Sequence, residues 1–242
     1  LEREERRDGV RVLVAGREHA RDLSAAPAAS REGTIYVRTE SLRRWLWERA
    51  EAWIGKRPDG SLRAALDGYG FADAPNDAIA RMADAEVETL ILHELGECAA
   101  GRELGPAWER MLGRLTRRRA ELFVRAVRDH LADCLVTLPA LLDRDAAPSL
   151  HFWFANLQGQ RQALFPRITA AYGRWRDGEG QSKHTDDEYR LTHLILRMMN
   201  FFKKPHAHCL LHSLRAREPH DLCSASGSRA AATRWSAPAR TQ

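Results

Sequence analysis

Residues 90–101 read LILHELGECAAG, a run with the apolar spacing of a buried helix that nonetheless carries His93, Glu94 and Glu97. At about 100° per residue, Ala83, Val87, Leu90, Ile91 and Cys98 form one apolar stripe, with Glu94 in its middle. His93 and Glu97, four positions apart, share the flank of that stripe with Glu86. Burying an isolated charge is costly enough that the group pairs, binds a metal or gives up its charge. Any fold for this chain must therefore supply partners to an interior helix.

Two further segments carry the same mixture. In TRRRAELFVRAVRDHLADCLVTLPALL (116–142), Phe123, Val127, Leu131, Cys134 and Leu138 make a stripe that contains His130. Asp133 stands at its margin and Asp129 further out, and Pro139, which lacks a backbone donor, predicts a kink. From Pro148 and Ser149 a third, aromatic-rich helix is predicted to reach at least Phe165. It buries Leu150, Trp153, Leu157 and Leu164 and projects Arg161 from the same side. Each long helix thus sends an ionisable group toward a shared dry centre.

Around these lie simpler elements. Residues 10–15 (VRVLVA) and 34–37 (TIYV) have the β-branched content of short strands. Ser41 is a candidate N-cap for a helix to about Ile54, stopped at Gly55. Asp77 can start the helix that runs through the opening motif to Gly101, and Gly105 with Pro106 opens a short one. The predicted fold is mainly α: a helical bundle-like single domain with a small N-terminal β element. Its parts are an N-terminal arm with short strands (1–40), a helical domain (41–176), a linker with an additional helix (177–204) and a disordered basic tail (205–242).

Composition limits the function classes. With 44% hydrophobic and 29% charged residues the chain has the make-up of a globular protein rather than a disordered one. No stretch approaches eighteen consecutive apolar residues, and the first thirty lack a secretory signal, so a cytoplasmic, non-membrane protein is expected. Four cysteines without a C-x-x-C pair specify neither a disulfide framework nor a zinc ribbon. Cys98 and Cys134, centred on apolar stripes, read as core thiols. Residues 183–242 carry ten basic and five acidic side chains, which is the whole of the formal excess of +5. The remaining body is balanced, and its basic run Arg114, Arg117, Arg118 and Arg119 reads as a solvated face, leaving nucleic-acid association the weakest reading. A second copy of the chain stays open as a partner.

Two chemistries fit the buried groups. His93, Glu94, Glu97, His130 and Asp133 are candidate ligands for iron, manganese or zinc, since carboxylates and imidazoles from facing helices build such centres. In an enzyme of this kind Glu94 would be a ligand or general base, His130 a ligand or proton shuttle, and Arg161 an anchor for an anionic substrate. Alternatively Glu94 pairs with Arg161 and accepts from His130, giving a structural network in a non-catalytic interaction protein. HELGE is His-Glu-x-x-Glu, not the His-Glu-x-x-His of zinc peptidases, and no paired Glu-x-x-His segments of a di-iron site occur. For the cluster alone the structural reading outweighs the metal one, while the leading expectation for the chain is a helical protein with a Glu/His/Arg site, metal-dependent or not, with the non-catalytic interaction protein as its alternative. The His206, His208, Cys209 and His212 group of HAHCLLH has zinc-ligand residue types but no second ordered element beside it.

The segments TIYVRTESLRRWLWE, ETLILHELGE, RAVRDHLADCLVTLPALL and SLHFWFANLQGQRQALFP resemble an uncharacterised family of bacterial helical proteins with a HELGE segment. The resemblance covers about residues 30–176 and implies a mostly helical, cytoplasmic bacterial protein with no assigned activity. Residues after about 180 depart from that family, as a frameshifted or substituted end would.

Overall fold

The computed structural model describes residues 1–17, 26–56, 60–116 and 118–176. The expected linker and additional helix (177–204), the basic tail (205–242) and the HAHCLLH group lie outside the described residues. What is described is mainly helical, with one small sheet at the N-terminus.

Four strands make that sheet: β1 (Arg3–Arg7), β2 (Val10–Ala15), β3 (Ala28–Arg31) and β4 (Thr34–Arg38), in the order β1-β2-β4-β3. The β1–β2 and β3–β4 pairs are antiparallel, while β2 and β4 run parallel with Val12 opposite Ile35 and Val14 opposite Val37. Alternation sends Val12, Val14, Ile35 and Val37 to one face, where all four are buried. β2 and β4 are the two runs expected from sequence; β1 and β3 are additional. Both hairpins turn on an acidic residue followed by glycine with both φ positive: Asp8–Gly9 at 49° and 79°, Glu32–Gly33 at 50° and 73°. That is the conformation of the tight hairpin turn whose twist matches its strands.

Against the buried sheet face pack α1 (Thr39–Ile54) and the long α3 (Pro75–Leu112), with α2 (Ser61–Gly68) between them in sequence. Leu42, Leu46 and Ala50 of α1 and Ala78, Met82, Ala83, Val87, Leu90, Ile91 and Leu95 of α3 join the sheet valines and Ile35 in one core. α3 bends at Gly105, whose φ of 68° and ψ of −179° are non-helical, and Pro106 then restarts the helix. Proline suits a first helical turn, where its missing N–H costs nothing.

The second long segment does not kink at Pro139 alone. It forms α4 (Arg118–Ala132), a π-turn (Asp133–Thr137) and α5 (Leu138–Asp143), with Pro139 at the start of the last. The predicted third long helix is three short ones: α6 (Ala147–Ala155), α7 (Gly159–Leu164) and α8 (Pro166–Arg176). Asn156 ends α6 by donating its side-chain amide to the Phe152 carbonyl at 2.8 Å. Gly159 has a φ of 59°, and Phe165, at φ −137° and ψ 65°, leaves the helical conformation, which a following proline disfavours. These breaks let α7 turn back onto α4.

Candidate functional site

The centre of the polar cluster is Asp133, the first residue of the π-turn and fully buried. Its Oδ1 accepts from His93 Nδ1 at 2.7 Å, and its Oδ2 accepts from Arg161 Nη2. One carboxylate thus joins α3, the π-turn and α7. Burial opposes its charge, but His93 and Arg161 outweigh that and hold the carboxyl down at about 2. Burial likewise opposes charge on His93, whose side chain is 12% exposed, yet Asp133, with Glu97 and Asp129 behind it, pushes the imidazole up to about 9. His93 is therefore an imidazolium at neutral pH, donating from Nδ1.

The approach of α3 to the π-turn requires Gly96. A Cβ at that position would lie 2.5 Å from the Ala132 carbonyl oxygen and 2.9 Å from its carbon. Position 96 thus lies against the Ala132 backbone at the end of α4, one residue before the π-turn, and it sits between His93 and Glu97 of the same motif.

Arg161 is held from three sides. Its guanidinium meets Asp133 and lies over the Trp153 ring, 5.5 Å from the centroid. Its backbone carbonyl accepts from His130 Nε2 at 2.6 Å. That bond fixes the His130 tautomer with the proton on Nε2, and burial followed by the Arg161 charge lowers the imidazole to about 4. Nδ1 of His130 is buried without a hydrogen-bond partner among the described residues. The ring also meets Phe165 edge-on at 6.1 Å.

Glu97 extends the cluster toward the surface. Its Oε1 accepts from Arg128 Nη2 at 2.9 Å and lies 3.8 Å from His93 Nε2. Asp129 stands 4.0 Å from Arg128, and burial raises its carboxyl despite His93 and Arg161 nearby. Among the described residues Glu94, although buried, forms no ion pair with Arg161 and no bond with His130. Its carboxyl, raised by burial, is hydrogen-bonded by Ser30 of β3. The place opposite Arg161 that Glu94 was expected to fill belongs to Asp133, because the π-turn carries Asp133 from the margin of the stripe into the interior.

Of the expected site residues, His93, Glu97, Asp133 and Arg161 form a connected set, His130 joins it through backbone, and Glu94 stands beside it. Arg128 was missed. The available signal was a cation needed opposite the half-buried Glu97, five residues before Asp133. Among the described residues, no group of three or more His, Cys, Asp and Glu side chains is placed to hold a metal ion. The physical reason is visible in the pairing: the carboxylates of Glu97 and Asp133 face guanidiniums, which take the positions a cation would occupy. The donor set does not fit a metal.

A further buried carboxyl, Glu86, sits nearer the N-terminus of α3. It is 1% exposed and accepts from the Tyr69 hydroxyl at 3.3 Å, while that hydroxyl is 2.9 Å from Ser149 Oγ. No described helix is long and apolar enough to cross a membrane. The basic run Arg114, Arg118 and Arg119 is exposed.

Comparison with known proteins gives two consecutive matches. Residues 1–38 match the N-terminal domain, and residues 43–205 the C-terminal domain, of a family of unknown function (DUF6866). The division falls at the junction of β4 and α1. The match continues to residue 205, past the departure expected near residue 180. No curated protein and no solved structure matches the chain.

Proposed function

The chain belongs to this family of unknown function, DUF6866, and we propose that it is a non-catalytic helical interaction protein whose buried ionic cluster is structural. One observation carries this reading: both oxygens of the buried Asp133 are taken by side chains of the protein itself, His93 on α3 and Arg161 on α7. A carboxylate so enclosed has no side left for a substrate. It sets instead how α3, the π-turn and α7 meet, which is the role buried ionic groups serve best where they fix register. Trp153 and His130, holding the same arginine, support the reading.

A second reading is favoured by one feature. Asp133 orients His93 through Nδ1 and leaves Nε2 toward the partly exposed Glu97, the arrangement in which an imidazole exchanges protons. Under it His93 would serve as the acid, Glu94 or Glu97 as a base, and His130 and Arg161 as the groups that fix Asp133 in place. The metal-dependent form of this reading has no support from the donor set. A bacterial, cytoplasmic setting rests on the resemblance of the four quoted segments.

Elemental analysis of the purified full chain, combined with unfolding of Arg161→Met, tests the first reading. It expects no stoichiometric metal and a loss of stability of about 3–5 kcal/mol, the cost of stranding a buried charge. Stoichiometric iron, manganese or zinc that is lost in Glu97→Ala would overturn it.

A further inference from the structure

Glu86 differs from Glu88, Glu97 and Asp133, each of which meets a cation. Glu88, two residues on, takes Arg3 and Arg7; Glu97 takes Arg128; Asp133 takes His93 and Arg161. Glu86 is more deeply buried than Glu88 or Glu97, yet its partners are hydroxyls: Tyr69 at the end of α2, Ser149 on α6, and Thr89 on its own helix. Among these groups only the Tyr69 phenol is titratable, and burial followed by the Glu86 charge drives it upward, so it stays neutral. Arg81, the cation nearest in the chain of contacts, is engaged elsewhere, donating to the Tyr69 carbonyl at 2.6 Å.

The location gives the carboxyl leverage. α2 and α6 pack closely beside it, with a Cβ at Gly68 coming 2.9 Å from the Pro148 ring. The Tyr69 turn is fastened to α3 at two points, its carbonyl by Arg81 and its hydroxyl by Glu86. Tyr69 and Ser149 each have a single proton to donate. Thr89, the third hydroxyl, is also placed to donate to the Ala85 carbonyl at 3.5 Å, and a protonated Glu86 adds a donor of its own to the group. An ionised Glu86 is a buried charge with no cation opposite it among the described residues, a state that favours water entry and separation of the helices.

We propose that Glu86 is a proton-dependent latch: protonated, it closes the junction of α2, α3 and α6, and on losing its proton to solvent it loosens α2 and the Tyr69 turn from α3. The pH range follows from burial, which pushes this carboxyl up to about 7 from an ordinary 4.5. The folded state then holds a proton that the unfolded chain releases, so stability falls as pH rises from about 4.5 to about 7 and is level above. The accompanying change in the folding constant is roughly three-hundredfold.

Carboxyl carbon-13 titration of the wild-type full chain reads the proton directly. The latch requires one glutamate with a midpoint near neutrality, absent from Glu86→Gln; a wild-type spectrum with every glutamate in the ordinary range overturns it. Amide exchange in α2, corrected for intrinsic rates, reads the motion. Between about pH 5 and about pH 8 protection should fall at least about tenfold more in the wild type than in Glu86→Gln, the decline due to His93 being common to both. Equal pH dependence in both proteins contradicts the latch. If Glu86→Gln does not fold, the wild-type titration alone decides.

Discussion

Gly96 of α3 lies directly beneath the backbone of Ala132, so near that an added Cβ would come within 2.5 Å of the carbonyl oxygen. The opposing atoms are backbone, which cannot rotate away as a side-chain tip can. Gly96→Ala must push α3 from the π-turn and stretch the His93–Asp133 bond with it. We expect a loss of about 1–3 kcal/mol, the usual cost of overpacking, although alanine is otherwise the better helix former. Denaturant unfolding checks this; unchanged stability would mean that the approach is not held by packing.

The two ends of the His93–Asp133 bond give stability in opposite pH windows. The Asp133 carboxyl, held down at about 2, contributes stability present above its ordinary value of 3.8 and lost as pH falls through about 2. His93, raised to about 9, contributes stability present below its ordinary 6.5 and lost as pH rises through about 9. Asp133→Asn removes the charge that raises His93. Its unfolding free energy should therefore lose the alkaline decline between about pH 6.5 and about pH 9 that the wild type shows.

The Asp8–Gly9 turn predicts its own substitution. Gly9 has a φ of 79° with open space around it, so Gly9→Ala meets no clash and only the backbone penalty of a side chain in the left-handed region. About 1–2 kcal/mol should be lost, read by thermal unfolding, and Gly9→Asn should lose less because asparagine tolerates that region.

Sequence made some of this legible and concealed the rest for physical reasons. α3 was visible because its apolar spacing is regular over many turns, and β2 and β4 because their β-branched residues alternate. β1 was hidden in REERR, whose charged side chains pair with one another and with Glu88 rather than forming an apolar face. The Asp-Gly pair beside it was a hairpin signal left unread. Asp133 was placed at a margin because 100° spacing was carried through a segment that, from that residue on, takes a wider turn. Arg161, expected to face inward toward Glu94, meets Asp133 instead. The helix carrying it is a short piece set by Gly159 and Pro166, and its direction depends on contacts that periodicity does not record.

The central claim is that Asp133 and Arg161 act as one structural unit. A double-mutant cycle with Asp133→Asn, Arg161→Met and the pair, read by denaturant unfolding at neutral pH, measures it directly. The account predicts single losses of about 3–5 kcal/mol and a double loss well short of their sum, with a coupling of about 2 kcal/mol. Additive losses, or single variants as stable as the wild type, would contradict it.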